Sequence, residues 1–291
     1  MSCSLSVVTV TYNSSSLLEG FLSRLMQGRE PGDEVIIVDS GSGDCADANR
    51  AAVAAGAHFV GLEDNVGFGT ASDVGAMRAK GEYIAFVNPD VETNFEDLQK
   101  LAKAAKDGGF SCVGPLVRDA SGNFAEAERG SIRSPLARLR RQRNIVGEVE
   151  SIAGCCMIID AQTFREIGGF DPHFFMFAEE IDLHRRIRAH GGRLSVIQGV
   201  VVVTEGGGSS SDVETRWSKA ERQVAHVRYV RKWFGRRAAL VDAIWRVMLM
   251  LRRPEYKPLF ASLSQFVRGL RGSGFDQRRH LLERYGVEHW G

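Results

Sequence analysis

Leu5-Ser6-Val7-Val8-Thr9-Val10-Thr11-Tyr12-Asn13 begins as a β-branched, apolar run and stops at a polar turn. The segments that follow repeat the device. Helical spacing over 17–26 leads to a β-rich run at 35–39, then a helix over 46–55 and a strand at 58–62. A helix over 70–79, a strand at 83–87 and a helix over 95–106 complete the series. Strands alternating with helices predict an α/β fold whose strands run mostly parallel through right-handed crossovers, and ligands of such folds sit beyond the C-terminal strand ends. The residues at those ends therefore matter most: Thr11-Tyr12-Asn13, Asp39-Ser40-Gly41-Ser42-Gly43-Asp44, Asp64-Asn65-Val66-Gly67-Phe68-Gly69 and Asn88-Pro89-Asp90. All four are polar or glycine-rich turns.

Further on the pattern changes. Strands are expected at 111–117, 152–160 and 194–204, with a polar, arginine-rich segment over 121–150 between the first two. After Gly206-Gly207-Gly208-Ser209-Ser210-Ser211, read as a hinge, the chain becomes helical and basic. Residues 216–257 hold twelve Lys or Arg against three acids. Trp217, Ala220, Val224, Val227 and Phe234 fall on one helical stripe, and residues 238–251 are more apolar still but too short to span a bilayer. Two readings follow: packing on the main domain, or an interfacial helix anchored by Trp233 and Trp245. The 291-residue chain, 44% hydrophobic with a net charge of +1, is neither disordered nor a global nucleic-acid binder. Five cysteines without a CxxC pair argue for a reducing compartment. With no charged leader and no apolar run of membrane length, a cytoplasmic location is expected.

The strand-end turns exclude two chemistries. Tyr12-Asn13-Ser14-Ser15-Ser16 stands where a dinucleotide fold needs G-x-G-x-x-G, and no Walker sequence occurs. Asn88-Pro89-Asp90 sets a carboxylate at a strand end, where Mg²⁺ or Mn²⁺ binds through oxygen and completes its shell with substrate phosphates. The stretch 168–186 (GGFDPHFFMFAEEIDLHRR) puts Glu179, Glu180 and Asp182 behind an aromatic run at the start of a basic helix. Helix capping, with Asp182 paired to Arg185 or Arg186, would explain acids there. Walling by Phe174, Phe175, Met176 and Phe177 would also desolvate them and keep one basic enough to take a proton.

These pieces stand in a recognisable order: Val7 to Asn13, Val38 to Asp44, Asn65 to Gly69 with Ala71 and Gly75, Asn88-Pro89-Asp90, Gly154, Gly169-Phe170-Asp171, and the Glu179-Glu180-Ile181-Asp182-Leu183 helix start. Over roughly residues 4–210 the chain resembles inverting family-2 glycosyltransferases of the GT-A fold, nearest the bacterial rhamnosyltransferase-like members. The resemblance implies a mixed, mostly parallel sheet with flanking helices, plus the basic helical extension. Its nucleotide-binding half would cover about 1–115, its acceptor half about 116–210, and the extension 211–291.

The resemblance also implies roles. Thr11, Tyr12 and Asn13 would line the nucleotide pocket, Asp39 would bond the base, and Asn65, Gly69 and Asn88 would lie by the ribose and diphosphate. Asp90 would carry Mg²⁺ or Mn²⁺. Glu180, where relatives carry aspartate, would be the catalytic base, with Glu179 able to share the task. Gly154, Phe170, Asp171 and Asp182 would lie on the acceptor side. Thr204 replaces a histidine that relatives often bring to the metal, with Glu205 or a water to compensate, and Asp73 replaces an asparagine. The expected reaction moves a sugar, first rhamnose from dTDP-rhamnose, to a glycan or lipid-linked glycan hydroxyl with inversion, in cell-wall or polysaccharide synthesis. A degenerate, non-catalytic sugar-nucleotide-binding or scaffold subunit is the alternative. Membrane-surface contact through 216–257, at the inner face of the cytoplasmic membrane, and no specific nucleic acid complete the expectation.

Overall fold

The computed structural model describes residues 3–124, 149–204 and 212–252. Strands β1 (Leu5–Thr11), β2 (Glu34–Ser40), β3 (His58–Leu62) and β4 (Tyr83–Val87) alternate with helices α1 (Ser15–Leu25), α2 (Cys45–Ala54) and α3 (Phe68–Ala76). Then come β5 (Val91–Glu92), α4 (Phe95–Gly108), β6 (Cys112–Asp119), β7 (Cys156–Asp160), α5 (Ala161–Glu166), α6 (Glu179–Ala189), β8 (Leu194–Thr204) and α7 (Asp212–Arg252). One sheet in the order β3-β2-β1-β4-β7-β6-β8-β5 joins all eight strands. The first four strands pair in parallel, β7 runs antiparallel to both β4 and β6, and β8 returns parallel to β6. A mixed, mostly parallel sheet is therefore what the chain forms.

Both sheet faces are covered, so the central strands are apolar throughout instead of alternating. Val7 and Ala85 meet α1, α2 and α4 on one face; Val8, Ile36 and Phe86 meet α3, α5 and α6 on the other. Asn94 caps α4 by accepting from the Asp97 N–H at 2.9 Å, and Gly109 ends it at φ 63°. Both are ordinary helix punctuation.

Three departures from the sequence expectations bear on the site. Strand β7 begins at Cys156, not 152, because Ile152 folds against Gly114, where a Cβ would lie 2.2 Å from Ile152 Cγ2. Strand β5 is only two residues long, too short for any periodicity to announce, yet it pairs Val91 with Thr204. Finally, the basic helical extension turns at a glycine that the sequence reading does not single out. α7 kinks at Gly235 (φ 87°, ψ 172°), and its first part lays Val224, Val227 and Val230 against Phe174, Ala178 and Ile181. Packing on the main domain is thus what its first apolar stripe does. The glycine-serine hinge, Glu205, most of the arginine-rich segment, the side chain of Trp217 and residues beyond 252 lie outside the described residues. No helix among the described residues is long and apolar enough to cross a membrane.

Candidate active site

The C-terminal edge of the parallel strands is knit by short polar bonds. Thr11 and Asp39 are register partners across β1 and β2, and the Thr11 hydroxyl donates to Asp39 Oδ2 at 3.1 Å. Ser42 donates its N–H to Oδ1 (2.9 Å) and its hydroxyl to Oδ2 (2.6 Å) of the same carboxylate. Asn13, held at φ 48°, donates its N–H to Ser42 Oγ and accepts from the Gly43 N–H. Asp39 is thereby enclosed and engaged on both oxygens; it shapes this turn rather than offering a bare carboxylate. Tyr12 stands exposed beside it. The next turn follows suit, with Asn65 Oδ1 accepting from the Gly67 N–H and the Ser40 hydroxyl.

This second turn meets the acidic helix. The Phe68 N–H donates to the Phe175 carbonyl at 2.9 Å, and a Cβ on Gly67 (φ 84°) would sit 2.2 Å from that oxygen. One residue on, a Cβ at Gly69 would come within 3.1 Å of Phe170 and 3.6 Å of Glu179. Small residues are required where the two loops cross. Phe177 and Ala178 both adopt left-handed backbone (φ 70° and 65°), which costs non-glycine residues on the order of 1–2 kcal/mol each. That bend aims the N-terminus of α6, with Glu179 and Glu180, at the sheet edge.

The two glutamates differ. Each has an enclosed Oε2 with no hydrogen-bond partner among the described residues. Burial pushes Glu179 well above the usual carboxylate range, and the neighbouring Glu180 charge pushes it further. Burial also raises Glu180, but helix N–H groups and the Arg222 guanidinium pull it back. Burial thus raises both carboxyls, with Arg222 favouring the charged form of Glu180 and the Glu180 charge disfavouring that of Glu179. Gly154 faces Glu180, since a Cβ there would lie 3.3 Å from its Cγ.

Asp90 follows β4 on the same edge. The Thr204 hydroxyl donates to its Oδ2 at 3.1 Å, through the β5–β8 pairing that sequence did not foresee. The Asn88 N–H donates to the Cys155 carbonyl at 2.9 Å. Cys155 registers both acids: burial first, then the Asp90 charge and to a smaller degree that of Glu180, push its thiol up to about 12. Thus Asp90 and Glu180, ninety residues apart, converge on the residues before β7. No group of three or more His, Cys, Asp or Glu able to hold a metal occurs among the described residues. A single carboxylate still suits Mg²⁺ or Mn²⁺ when substrate phosphates and water complete the shell, and Asp90 with one oxygen bonded to Thr204 fits that chemistry.

The residues expected on the acceptor side are mostly occupied otherwise. Phe170 is a core ring, 5.2 Å from Phe86 and 5.6 Å from Phe164 between centroids. Asp182 is fully buried, accepting from Arg186 Nε (2.8 Å) and Trp233 Nε1 (2.8 Å) and pairing with Lys232 Nζ (2.6 Å). Asp171 binds Lys232 as well, at 2.6 Å; although burial would raise it, His173 and Lys232 hold it well below the usual range. These two aspartates therefore clamp α7, and Trp233 belongs to the clamp, not to a membrane anchor. Of the expected acceptor-side residues, Gly154 is the one shown to face Glu180. His184 is buried and neutral, its pKa lowered to about 3 by burial and then by Arg186 and Arg188. It faces Ser151 Oγ at 3.1 Å, one turn below Glu180. Sequence reasoning missed Cys155, Arg222 and Lys232; a basic helix carries no mark of which cations turn inward.

Residues 6–168, more than half of the chain, match the family described as Glycosyl transferase family 2, and 135–205 match the N-terminal domain of galactosyltransferase. The chain is 27% identical over 223 residues to an N-acetylglucosaminyl-diphospho-decaprenol L-rhamnosyltransferase of Mycobacterium tuberculosis, covering 66% of this chain and 72% of that one. It is 24% identical to a low-salt glycan biosynthesis hexosyltransferase of Haloferax volcanii, covering 67% of this chain and 66% of that one. Among solved structures, a mannosyltransferase from Pyrobaculum calidifontis with GDP-Man and Mn²⁺ superposes with a TM-score of 0.61 at 17% identity, over 99% of this chain and 84% of that one. GalNAc-T7 with UDP, GalNAc and Mn²⁺ gives 0.57 at 21% identity over 80% of this chain, which spans 48% of that longer protein. The shared fold is the GT-A fold expected from the sequence.

Proposed function

The chain belongs to glycosyl transferase family 2, and from that premise we propose that it moves a sugar from a nucleotide donor to a glycan hydroxyl with inversion at the anomeric carbon. The carrying observation is the buried-edge glutamate pair at the start of α6, with Gly154 facing Glu180 and the Asn88 N–H on the Cys155 carbonyl bringing the Asp90 turn to the same residues before β7. A partly buried Glu180 carboxylate, raised above the usual carboxylate range by burial and facing Arg222 and helix N–H groups, is a suitable general base. It takes the proton of the acceptor hydroxyl as that oxygen bonds to the anomeric carbon. The bond from that carbon to the donor phosphate breaks on the opposite face, and its electron pair leaves with the diphosphate. Thr11, Tyr12, Asn13 and the Asp39 turn would line the nucleotide pocket, with Asn65, Gly69 and Asn88 beside the ribose and diphosphate. When bound at Asp90, Mg²⁺ or Mn²⁺ would neutralise charge on the departing diphosphate.

Similarity to the mycobacterial rhamnosyltransferase makes dTDP-rhamnose the first donor to try and a lipid-diphosphate-linked glycan the first acceptor. Asp90→Ala and Glu180→Gln should each abolish transfer, while calorimetry with dTDP still shows nucleotide binding in the Glu180→Gln protein. Full activity in both variants would refute the assignment. The Thr204 hydroxyl on Asp90, in place of an imidazole ligand, favours a second reading as a non-catalytic sugar-nucleotide-binding subunit. Wild-type transfer in the presence of Mn²⁺ decides between them.

A further inference from the structure

Beyond the Gly235 kink, α7 is built inside out. Its inward side carries Ala239, Asp242, Ala243 and Arg246, all buried, with Arg246 Nε on Asp242 Oδ2 at 2.6 Å and Arg246 Nη1 on Gln223 Oε1 at 2.7 Å. Its outward side carries Leu240, Val241, Ile244 and Met248, exposed by 63%, 51%, 53% and 47%. At about 100° per residue these four span an arc of roughly 100°, opposite the buried set. A helix placed by aqueous burial alone would turn its leucine and isoleucine inward and its arginine outward. Here the ion pair takes the inner side and the large apolar residues face out.

The charge around this stripe names its occupant. From Gly235 to Met248 the helix has three arginines and a single acid, Asp242, which is buried in its ion pair with Arg246. Arg236 and Arg237 are exposed at the end where the stripe begins, and Arg237 falls within its arc. An apolar strip that begins beside two exposed arginines, Arg236 and Arg237, fits an anionic lipid leaflet, phosphates at the guanidinium level and acyl chains against the leucine and isoleucine.

We propose that the helix from Arg236 to Met248 is a monolayer-docking element that seats the enzyme on an anionic lipid surface, while the part of α7 before Gly235 is its rigid mount on the catalytic domain. The seat is the outward side of this helix and contains neither glutamate, so its lipid binding is read separately from catalysis.

The test is sedimentation of the full chain with phosphatidylcholine vesicles, with and without phosphatidylglycerol. The wild type should pellet with the anionic vesicles and detach in part as salt rises. Leu240→Ser/Ile244→Ser, both at exposed positions, should lower the partition coefficient about a hundredfold, as expected for withdrawing two large apolar side chains from lipid. Arg236→Gln/Arg237→Gln should remove the preference for the anionic vesicles. Brominated acyl chains should quench wild-type tryptophan fluorescence and quench it less in Trp245→Phe. Absence of vesicle binding by the wild type, equal binding by the Leu240/Ile244 variant, or a dimer in sedimentation equilibrium that Ile244→Ser dissociates would each overturn the proposal.

Discussion

Removing the Asp182 carboxylate should do more damage than its place on a surface helix would suggest. Fully buried, it holds Arg186 within α6 and both Trp233 and Lys232 from α7, and Lys232 in turn bridges to Asp171. In Asp182→Ala three donors lose one acceptor, and the Arg186 Nη2 already lacks a partner. Breaking a buried pair by deleting one member costs about 3–5 kcal/mol. Trp233→Phe takes away only one donor to a charged acceptor, about 1.5–3 kcal/mol at most. For Lys232→Met, at a side chain one-third exposed, about 1 kcal/mol is expected, because Arg186 and Trp233 still satisfy the acid. Urea unfolding at constant m-value measures each difference. The double variant Lys232→Met/Asp182→Ala should fall short of the sum, since both act through one contact. A loss below about 1 kcal/mol in Asp182→Ala, or strict additivity, would refute the clamp.

Two further outcomes follow from the same geometry. Folding raises the Glu179 carboxyl above its unfolded value, so the folded state keeps a proton that the unfolded chain sheds as pH climbs past the ordinary carboxylate range. Stability from this group is present at acid pH and lost as pH rises through the raised value. Glu179→Gln should therefore stabilise the protein near neutrality and leave it unchanged at acid pH, measured by thermal unfolding against pH; equal shifts at both ends would contradict the buried-acid account. Gly67→Ala should cost more than the roughly 1 kcal/mol of an ordinary left-handed substitution, because its Cβ meets the Phe175 carbonyl at 2.2 Å. Limited proteolysis should then cut near Phe175 sooner than in wild type, and an unchanged rate would count against the loop crossing.

The alternation of strands and helices was readable because each βα unit carries its own period and its own turn. β1, β3, β4 and β8 match the sequence expectation end to end. What local pattern could not carry are contacts that join distant segments. Val91–Glu92 has no period to detect, and only pairing with β8 makes it a strand and brings Thr204 to Asp90. Phe170 and Asp171 are adjacent in the sequence, yet one closes the core and the other clamps α7; sequence alone gives neighbouring residues no separate directions. The basic stretch was legible as charge and as a helix. Which stripe faced inward depended on the Gly235 kink, and a single glycine does not announce a kink.

Where the chain departs from the pattern it resembles, the structure supplies compatible chemistry in each case. Asp73 stands for an asparagine: its Oδ1 accepts the Phe170 N–H at 3.0 Å, and a Cβ on Gly169 would lie 2.6 Å from that oxygen. Burial raises its carboxyl well above the usual range, and a protonated carboxyl presents one acceptor and one donor, as an amide does. Thr204 stands for a histidine, and through its hydroxyl it bonds the Asp90 carboxylate in place of bringing a ligand of its own. Glu180 stands for an aspartate, one methylene longer, on a helix whose start is turned by two left-handed residues and whose opposite wall, at Gly154, has no side chain. A longer acid needs room at its Cγ, and Gly154 leaves it there. The three replacements thus keep an amide-like bond at Asp73, a hydroxyl on the Asp90 carboxylate and room for the longer Glu180 side chain, each compatible with the proposed catalytic roles.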